Sequence, residues 1–189
     1  MDSEGLGRTR EGADVAADTY YLLRSIVTVV LAAVLAFTFL FRTVRVVGPS
    51  MEGTLQEGDV LIISALGQKP RYGDIVVFYA EQTSLDYPLI KRVIATEGQS
   101  IDIDFETGTV YVDEGELTEP YVSDPANESS RLDFERAVTV PDGCVFVMGD
   151  NRNRSNDSRD ADIGFVDTRR IIGKVLLRLT PLRAFGPVA

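Results

Sequence analysis

From Ser25 to Phe41 the chain carries no charge, and arginines close the run on both sides, Arg24 before it and Arg42 after it. As helix, these seventeen residues would span about 25 Å. That is short of a ~30 Å hydrocarbon core, but within the lower range once the flanking arginines snorkel to the interface. Tyr20 and Tyr21 stand where an interfacial aromatic belt begins. The run is long for the apolar part of a cleaved leader, acidic residues precede it, and no Ala-x-Ala site follows. The sequence therefore predicts an uncleaved transmembrane anchor over residues 20–42. Residues 1–19 are polar and acidic without hydrophobic period, and read as a disordered tail. Arg8, Arg10 and Arg24 precede the helix, while Arg42 and Arg45 follow it. This three-to-two balance barely favours a cytoplasmic N-terminus and leaves orientation open.

With 189 residues, the chain can hold one compact domain of roughly 140 residues beside the anchor, or two small lobes sharing a core. It has 29 acidic and 19 basic residues, a net charge of −10, which disfavours phosphate backbones and hence nucleic acid as a partner. The one cysteine, Cys144, lies in the apolar run Cys144–Met148 and reads as a small core residue. With no histidine and no cysteine cluster, structural zinc and histidine-ligated metals are excluded. Neither a cofactor nor a metal is expected.

After the anchor, short β-like runs alternate with turn residues. They are Thr43–Val47, Asp59–Ser64, Asp74–Tyr79, Leu89–Ala95, Ser100–Asp104, Thr109–Val112, Ala137–Val140, Cys144–Met148 and Ile171–Leu179. Thr107-Gly108 marks a hairpin, and no second helix stands out. The fold expected is mostly β: an N-terminal transmembrane helix, then an antiparallel β domain closed as a barrel or folded sheet. Residues 113–136, acidic and turn-rich, read as a peripheral excursion, and the sequons at Asn127, Asn153 and Asn156 as incidental.

Shortly past the anchor comes Gly48-Pro49-Ser50-Met51-Glu52-Gly53, a tight loop that can expose a serine oxygen. The eight residues between Phe41 and Ser50 reach at most about 30 Å, so such a site stays near the bilayer. A nucleophilic serine in a chain without histidine needs another base, and a desolvated lysine is the usual one. There are three lysines. Lys69 lies in a polar turn, and Lys174 reads as a snorkelling edge residue of a late strand. Lys91 falls between Leu89 and Val93 on one strand face, where burial would drive its pKa down. An interior ion pair is the alternative there.

The third element is the polar loop Gly149–Asp160, directly after an apolar strand. Its charges need partners to be ordered, so Asp157 and Arg159 read as internal braces, and Ser155 could hold the lysine amine in line with Ser50. A calcium loop fails because Arg152 or Arg159 would fall where an oxygen ligand is required.

Together these segments resemble the bacterial type I signal peptidases (leader peptidases), membrane-bound Ser-Lys proteases. Gly48–Leu55 resembles the nucleophile box, Lys91-Arg92-Val93-Ile94 the base box, and Gly149–Arg159 the terminal Gly-Asp-Asn-Arg box. The resemblance spans about residues 22–180. It implies Ser50 as nucleophile, Lys91 as general base and Ser155 as its hydrogen-bond partner, with Asp157, Arg159, Met51 and Arg92 supporting. It further implies a catalytic domain over 43–180 with a smaller β lobe inserted at about 100–140, and a C-terminal tail at 181–189. The N-terminus would be cytoplasmic and catalysis would occur on the outer face of the cytoplasmic membrane, acting on signal-peptide-bearing preproteins. Two positions depart from the family: Gly53 stands where proline is frequent, and Gly48 where some members carry a hydroxyl that serves the oxyanion. The archaeal and endoplasmic-reticulum members use histidine as base, which this chain lacks. Two other functions fit the composition less well. A self-cleaving Ser-Lys switch would need a DNA-binding helical domain, and a non-catalytic tethered β scaffold would keep Ser50 and Lys91 apart.

Overall fold

The computed structural model describes residues 3–66, 69–80, 87–122 and 137–188, the side chains of 3–17 and 36 excepted. The sequon at Asn127 and most of the 113–136 excursion lie outside them. The chain falls into two units, Met1–Leu40 and Phe41–Ala189.

The first unit is one helix, α1 (Ser3–Leu40). Its part from Asp18 to Leu40, 23 residues of mean hydropathy 2.3, is long and apolar enough to cross a membrane. At 1.5 Å per residue it spans about 34 Å. The hydroxyls of Thr28 and Thr38 donate to the carbonyls of Arg24 and Val34, both at 2.8 Å, so neither is left as a bare polar group on the apolar surface. The tail expected to be disordered is helical back to Ser3. No proline occurs before Pro49, and Ala13, Ala16 and Ala17 lead into the apolar run, so a helix nucleated there propagates back through the tail despite its three glycines. The helix ends at Leu40, two residues before the boundary expected for an anchor, because Phe41 and Arg42 pair into a strand.

The second unit is mostly antiparallel β. Its first seven strands are β1 (Phe41–Arg45), β2 (Val60–Ser64), β3 (Ile75–Phe78), β4 (Leu89–Thr96), β5 (Ser100–Ile103), β6 (Val110–Val112) and β7 (Gly115–Glu116). The remaining five are β8 (Val138–Thr139), β9 (Cys144–Met148), β10 (Val166–Asp167), β11 (Ile171–Thr180) and β12 (Gly186–Pro187). The large sheet runs β1-β2-β11-β3-β4-β9-β10, with β12 added on β11, and a four-stranded sheet runs β7-β6-β5-β8. The smaller sheet thus lies within residues 100–139, between β4 and β9 in sequence.

The large sheet is buried on both faces at its centre, which explains the unbroken apolar runs in β3 and β9. Ile75 and Val77 of β3 join Val46, Met51, Leu55, Leu61, Ile63, Ile90 and Val175 in one cluster. Val76 and Phe78 face the other way, against Val93, Val145, Val147, Ile163 and Val166. A third cluster, with Ile94, Phe146 and Met148 from the large sheet and Ile101, Ile103 and Val110 from the small one, holds the two sheets together. Cys144 packs half-buried against it.

The β5–β6 hairpin turns at Thr107-Gly108 as expected; Gly108 has φ +78° and donates to the Asp104 carbonyl at 2.8 Å. Two further expectations need correction. Residues 181–188 of the expected C-terminal tail belong to the domain: Leu182–Ala184 form a 3-10 turn, Gly186–Pro187 pair with β11, and Val188 packs on the first cluster. Lys174 does not sit on an edge strand either, since β11 lies between β2 and β3, and its amine pairs with Asp74 at 2.6 Å.

Candidate active site

Lys91 stands in the middle of β4, opposite Val76 of β3. Leu89 and Val93, two residues to either side, pack in the apolar cluster with Val76, as strand alternation requires. The lysine is 2% exposed and its amine reaches the Ser50 hydroxyl oxygen at 2.8 Å. Burial lowers its pKa to about 8; Asp157, Asp150 and Asp160 oppose the shift and Arg159 adds to it. An amine in this state is a usable base slightly above neutral pH. Of the other lysines, Lys69 is exposed in a pair with Glu97 and Lys174 is held by Asp74.

The loop bearing Ser50 is clamped at its base. Val46 donates to the Asp59 carbonyl at 2.8 Å, and Gly58 returns a bond to Val46 at 2.9 Å. Gly48 at φ +83° makes the reversal into Pro49, a conformation that a side chain there would strain. Met51, the next residue after the serine, is buried in the first cluster, so the serine is carried on an anchored backbone. The Ser50 carbonyl accepts from Asn151 N–H at 3.1 Å, which ties the serine loop to the polar loop. The Ser50 N–H has no acceptor among the described residues.

Gly149 is where the two loops meet. A Cβ built there would lie 2.2 Å from the Ser155 hydroxyl oxygen and 2.4 Å from the Ser50 carbonyl oxygen, so only glycine allows this approach. Beyond it, Asp157 is fully buried and accepts from Gly149 N–H at 2.9 Å, from Ser155 at 2.6 Å, and from the Arg159 guanidinium at 2.8 and 2.9 Å. Burial is the largest single influence and opposes its ionisation, but the Arg159 guanidinium together with the bonds from Ser155 and Gly149 N–H holds the carboxyl below the ordinary carboxylate range. Asp157 and Arg159 thus form a buried ion pair within the loop. Ser155 differs in detail from its expected role, since its hydroxyl donates to Asp157 and forms no hydrogen bond with Lys91 among the described residues. An ionised buried carboxylate is the stronger acceptor for the Ser155 hydroxyl.

Arg92 points to the opposite face from Lys91. It makes two bonds to Asp150, at 2.9 and 2.8 Å, and one to the Gly73 carbonyl at 3.0 Å. Thr54 also donates to Asp150. The Arg92–Asp150 pair therefore joins the base strand, the serine loop and the polar loop.

The sequence reading passed over Thr54, Asp150, Glu119, Tyr121 and Arg152. For the first two, the signal was present in the polar density of their boxes. Glu119 and Tyr121 lie in the acidic stretch read as peripheral, where nothing local separates a buried partner from a solvated one.

The model of the family described as signal peptidase, peptidase S26, matches residues 19–180. The chain belongs to this family. It is 38% identical over 169 residues to the "Probable signal peptidase I-1" of Synechocystis sp., covering 85% of this chain and 81% of that protein. To the signal peptidase I T of Bacillus subtilis (strain 168) it is 34% identical over 183 residues, covering 92% of each. A crystal structure of a signal peptidase I from Enterococcus faecalis V583 aligns with TM-score 0.46 and 29% identity, over 57% of this chain and 97% of that one. The segments Gly48–Leu55, Lys91–Ile94 and Gly149–Arg159 all fall inside the matched span.

The geometry yields one prediction at Ser155. Alanine there removes a charge-assisted bond to buried Asp157, worth about 1.5–3 kcal/mol. The melting temperature of Ser155→Ala should drop by several degrees, and kcat should fall further than KM rises, because Asp157 faces Lys91. Measured on one preparation, normal kcat beside a lowered melting temperature would make Ser155 purely structural.

Proposed function

We propose that this chain is a membrane-anchored serine endopeptidase that removes N-terminal signal peptides from exported preproteins through a Ser50–Lys91 dyad. The observation that carries the reading is the 2.8 Å approach of the Lys91 amine, on a lysine 2% exposed, to the Ser50 hydroxyl. Membership of the signal peptidase family supports the substrate class.

In the proposed reaction, neutral Lys91 takes the Ser50 proton as the oxygen attacks the scissile carbonyl, and the Ser50 N–H faces the developing oxyanion. The tetrahedral adduct expels the new N-terminus of the mature protein, which takes its proton from Lys91. This leaves the signal peptide esterified to Ser50. Lys91 then deprotonates a water that attacks the ester, releasing the signal peptide carboxylate and returning the proton to Ser50. Gly48 offers no hydroxyl, so oxyanion binding rests on backbone donors. The peptide lies extended, with small residues at the first and third positions before the cut, as the family resemblance implies.

Residues 20–42 act as the anchor and residues 43–180 as the catalytic domain, with the smaller lobe at about 100–140. The N-terminus lies in the cytoplasm and catalysis takes place at the outer face of the cytoplasmic membrane. Asp18–Leu40 supports the anchor by length and composition. The test is incubation of the purified chain in detergent with a preprotein bearing an Ala-x-Ala site. A single cut after that site is expected; an intact preprotein under conditions where the chain is folded would refute the reading.

A further inference from the structure

Beyond β7 the chain leaves the smaller sheet and returns to the loops of the site. Leu117 N–H donates to the Val110 carbonyl at 2.9 Å, and Val122 N–H to the Glu119 carbonyl at 3.1 Å, so the turn between them is ordered by its own backbone. Two of its side chains reach Arg152, in the loop after β9, and Arg92 of β4. The Glu119 carboxylate accepts two bonds from Arg152, at 2.8 and 2.6 Å, and Arg152 is 1% exposed. Tyr121 donates its phenol to the same carboxylate at 2.8 Å, and its ring lies 3.9 Å from the guanidinium carbon of Arg92. The Tyr72 hydroxyl is 3.5 Å from that of Tyr121.

These two arginines flank Gly149 and Asp150. Arg152 donates to the Gly149 carbonyl at 3.2 Å and accepts from Arg159 at its own carbonyl at 2.7 Å. Arg92 grips Asp150 with two bonds. Gly149 itself touches Ser155 and the Ser50 carbonyl. The turn from the smaller lobe thus braces, from one side, the loop whose other side contacts the dyad. We infer that Glu119 and Tyr121 are positioning residues for the Ser50–Lys91 pair, holding Arg152 and Arg92 and through them the 149–159 loop. This rests on the dyad reading above.

Loss of the brace has a readout that ordinary destabilisation lacks. The charges that face Lys91 are Asp157, Arg159, Asp150 and Asp160, all from the loop after β9; on β3, its neighbour in register is Val76. A loop released from Arg152 lets water reach the amine and moves these charges. Burial pushes the Tyr121 phenol above its ordinary range, so it stays a neutral donor where Lys91 titrates.

The test is Glu119→Gln in the full chain, with the exposed-pair variant Glu97→Gln as control. Relative to the wild type, kcat should fall roughly ten- to hundredfold with KM within about twofold. The alkaline-rising limb of kcat/KM should move up from about 8 toward the ~10.4 of a free lysine. Tyr121→Leu should act in the same direction, and Tyr121→Phe, which keeps the ring beneath Arg92, should recover most of the loss. A Glu119→Gln protein with a lowered melting temperature but wild-type limb and kcat, assayed well below that temperature, would overturn the inference. If Glu119→Gln does not fold, an unmoved limb in Tyr121→Leu overturns it equally. With only three lysines, the Lys91 amine can also be titrated by NMR in wild type and variants. An inactive wild type with a shifted amine titration in Glu119→Gln would then refute the dyad alone, and an active wild type with an unshifted titration the positioning role alone.

Discussion

Ser50→Ala should abolish preprotein cleavage, by roughly 10⁴- to 10⁶-fold, the range seen when a serine protease loses its nucleophile. The folded domain should survive the change. The hydroxyl lies on a loop held by Met51 in the core and by the Asn151–Ser50 backbone bond, and its own contribution is one bond to Lys91. Such a bond is worth about 1 kcal/mol. Lys91→Met should be as inactive while becoming more stable near neutral pH. Its pKa is lowered in the fold, so below about 8 the folded chain carries a buried ammonium that the unfolded chain carries in water. Between about 8 and ~10.4 the unfolded state binds more protons, and the wild type gains stability as pH rises. Comparable product release by Ser50→Ala would remove Ser50 from the chemistry.

Asp157→Ala should be the most damaging change to the fold among the site residues. The carboxylate is fully buried and takes bonds from Arg159, Gly149 and Ser155, so its removal strips a buried guanidinium of its counter-charge. Breaking a buried pair in this way costs about 3–5 kcal/mol, a large share of the ~5–15 kcal/mol that stabilises a domain. The expected fall in melting temperature is roughly 10–20 °C. Asp157→Ala/Arg159→Met should recover part of it by removing the stranded charge as well. The pH dependence follows from the lowered carboxyl pKa. Asp157 stabilises the fold above the ~3.9 of an unfolded aspartate, and that contribution is lost as pH drops through its lower folded value. A melting temperature within a degree or two of wild type would show that the brace is dispensable.

Much of this was legible in the sequence because strand physics is local. Alternation in Leu89–Val93 put Lys91 beside two aliphatic neighbours, and the absence of histidine pointed to lysine as the expected base for Ser50. Apolar runs such as Ile75–Phe78 and Cys144–Met148 announced strands, and the structure buries both of their faces. What escaped was non-local or too short to have a period. β7, β10 and β12 have two residues each and exist only because a neighbouring strand offers its edge. Lys174 was taken for an edge residue because nothing in Ile171–Leu179 reveals that β2 and β3 lie on either side. Glu119 looked like one more solvated acid in an acidic stretch; its partner Arg152 lies more than thirty residues away, and no spacing rule connects them. Ser155 was aimed at Lys91 by its box, but Asp157, two residues on, is the acceptor its hydroxyl meets.

Catalysis by the proposed dyad depends on the protonation state of Lys91, and the pH dependence of kcat/KM for cleavage of a preprotein measures it. The limb should rise with pH through about 8, the value to which burial lowers the Lys91 amine, because only the neutral amine accepts the Ser50 proton. Activity that climbed only near the ~10.4 of an exposed lysine, or a profile flat from pH 6 to 10, would contradict a buried Lys91 acting as the base.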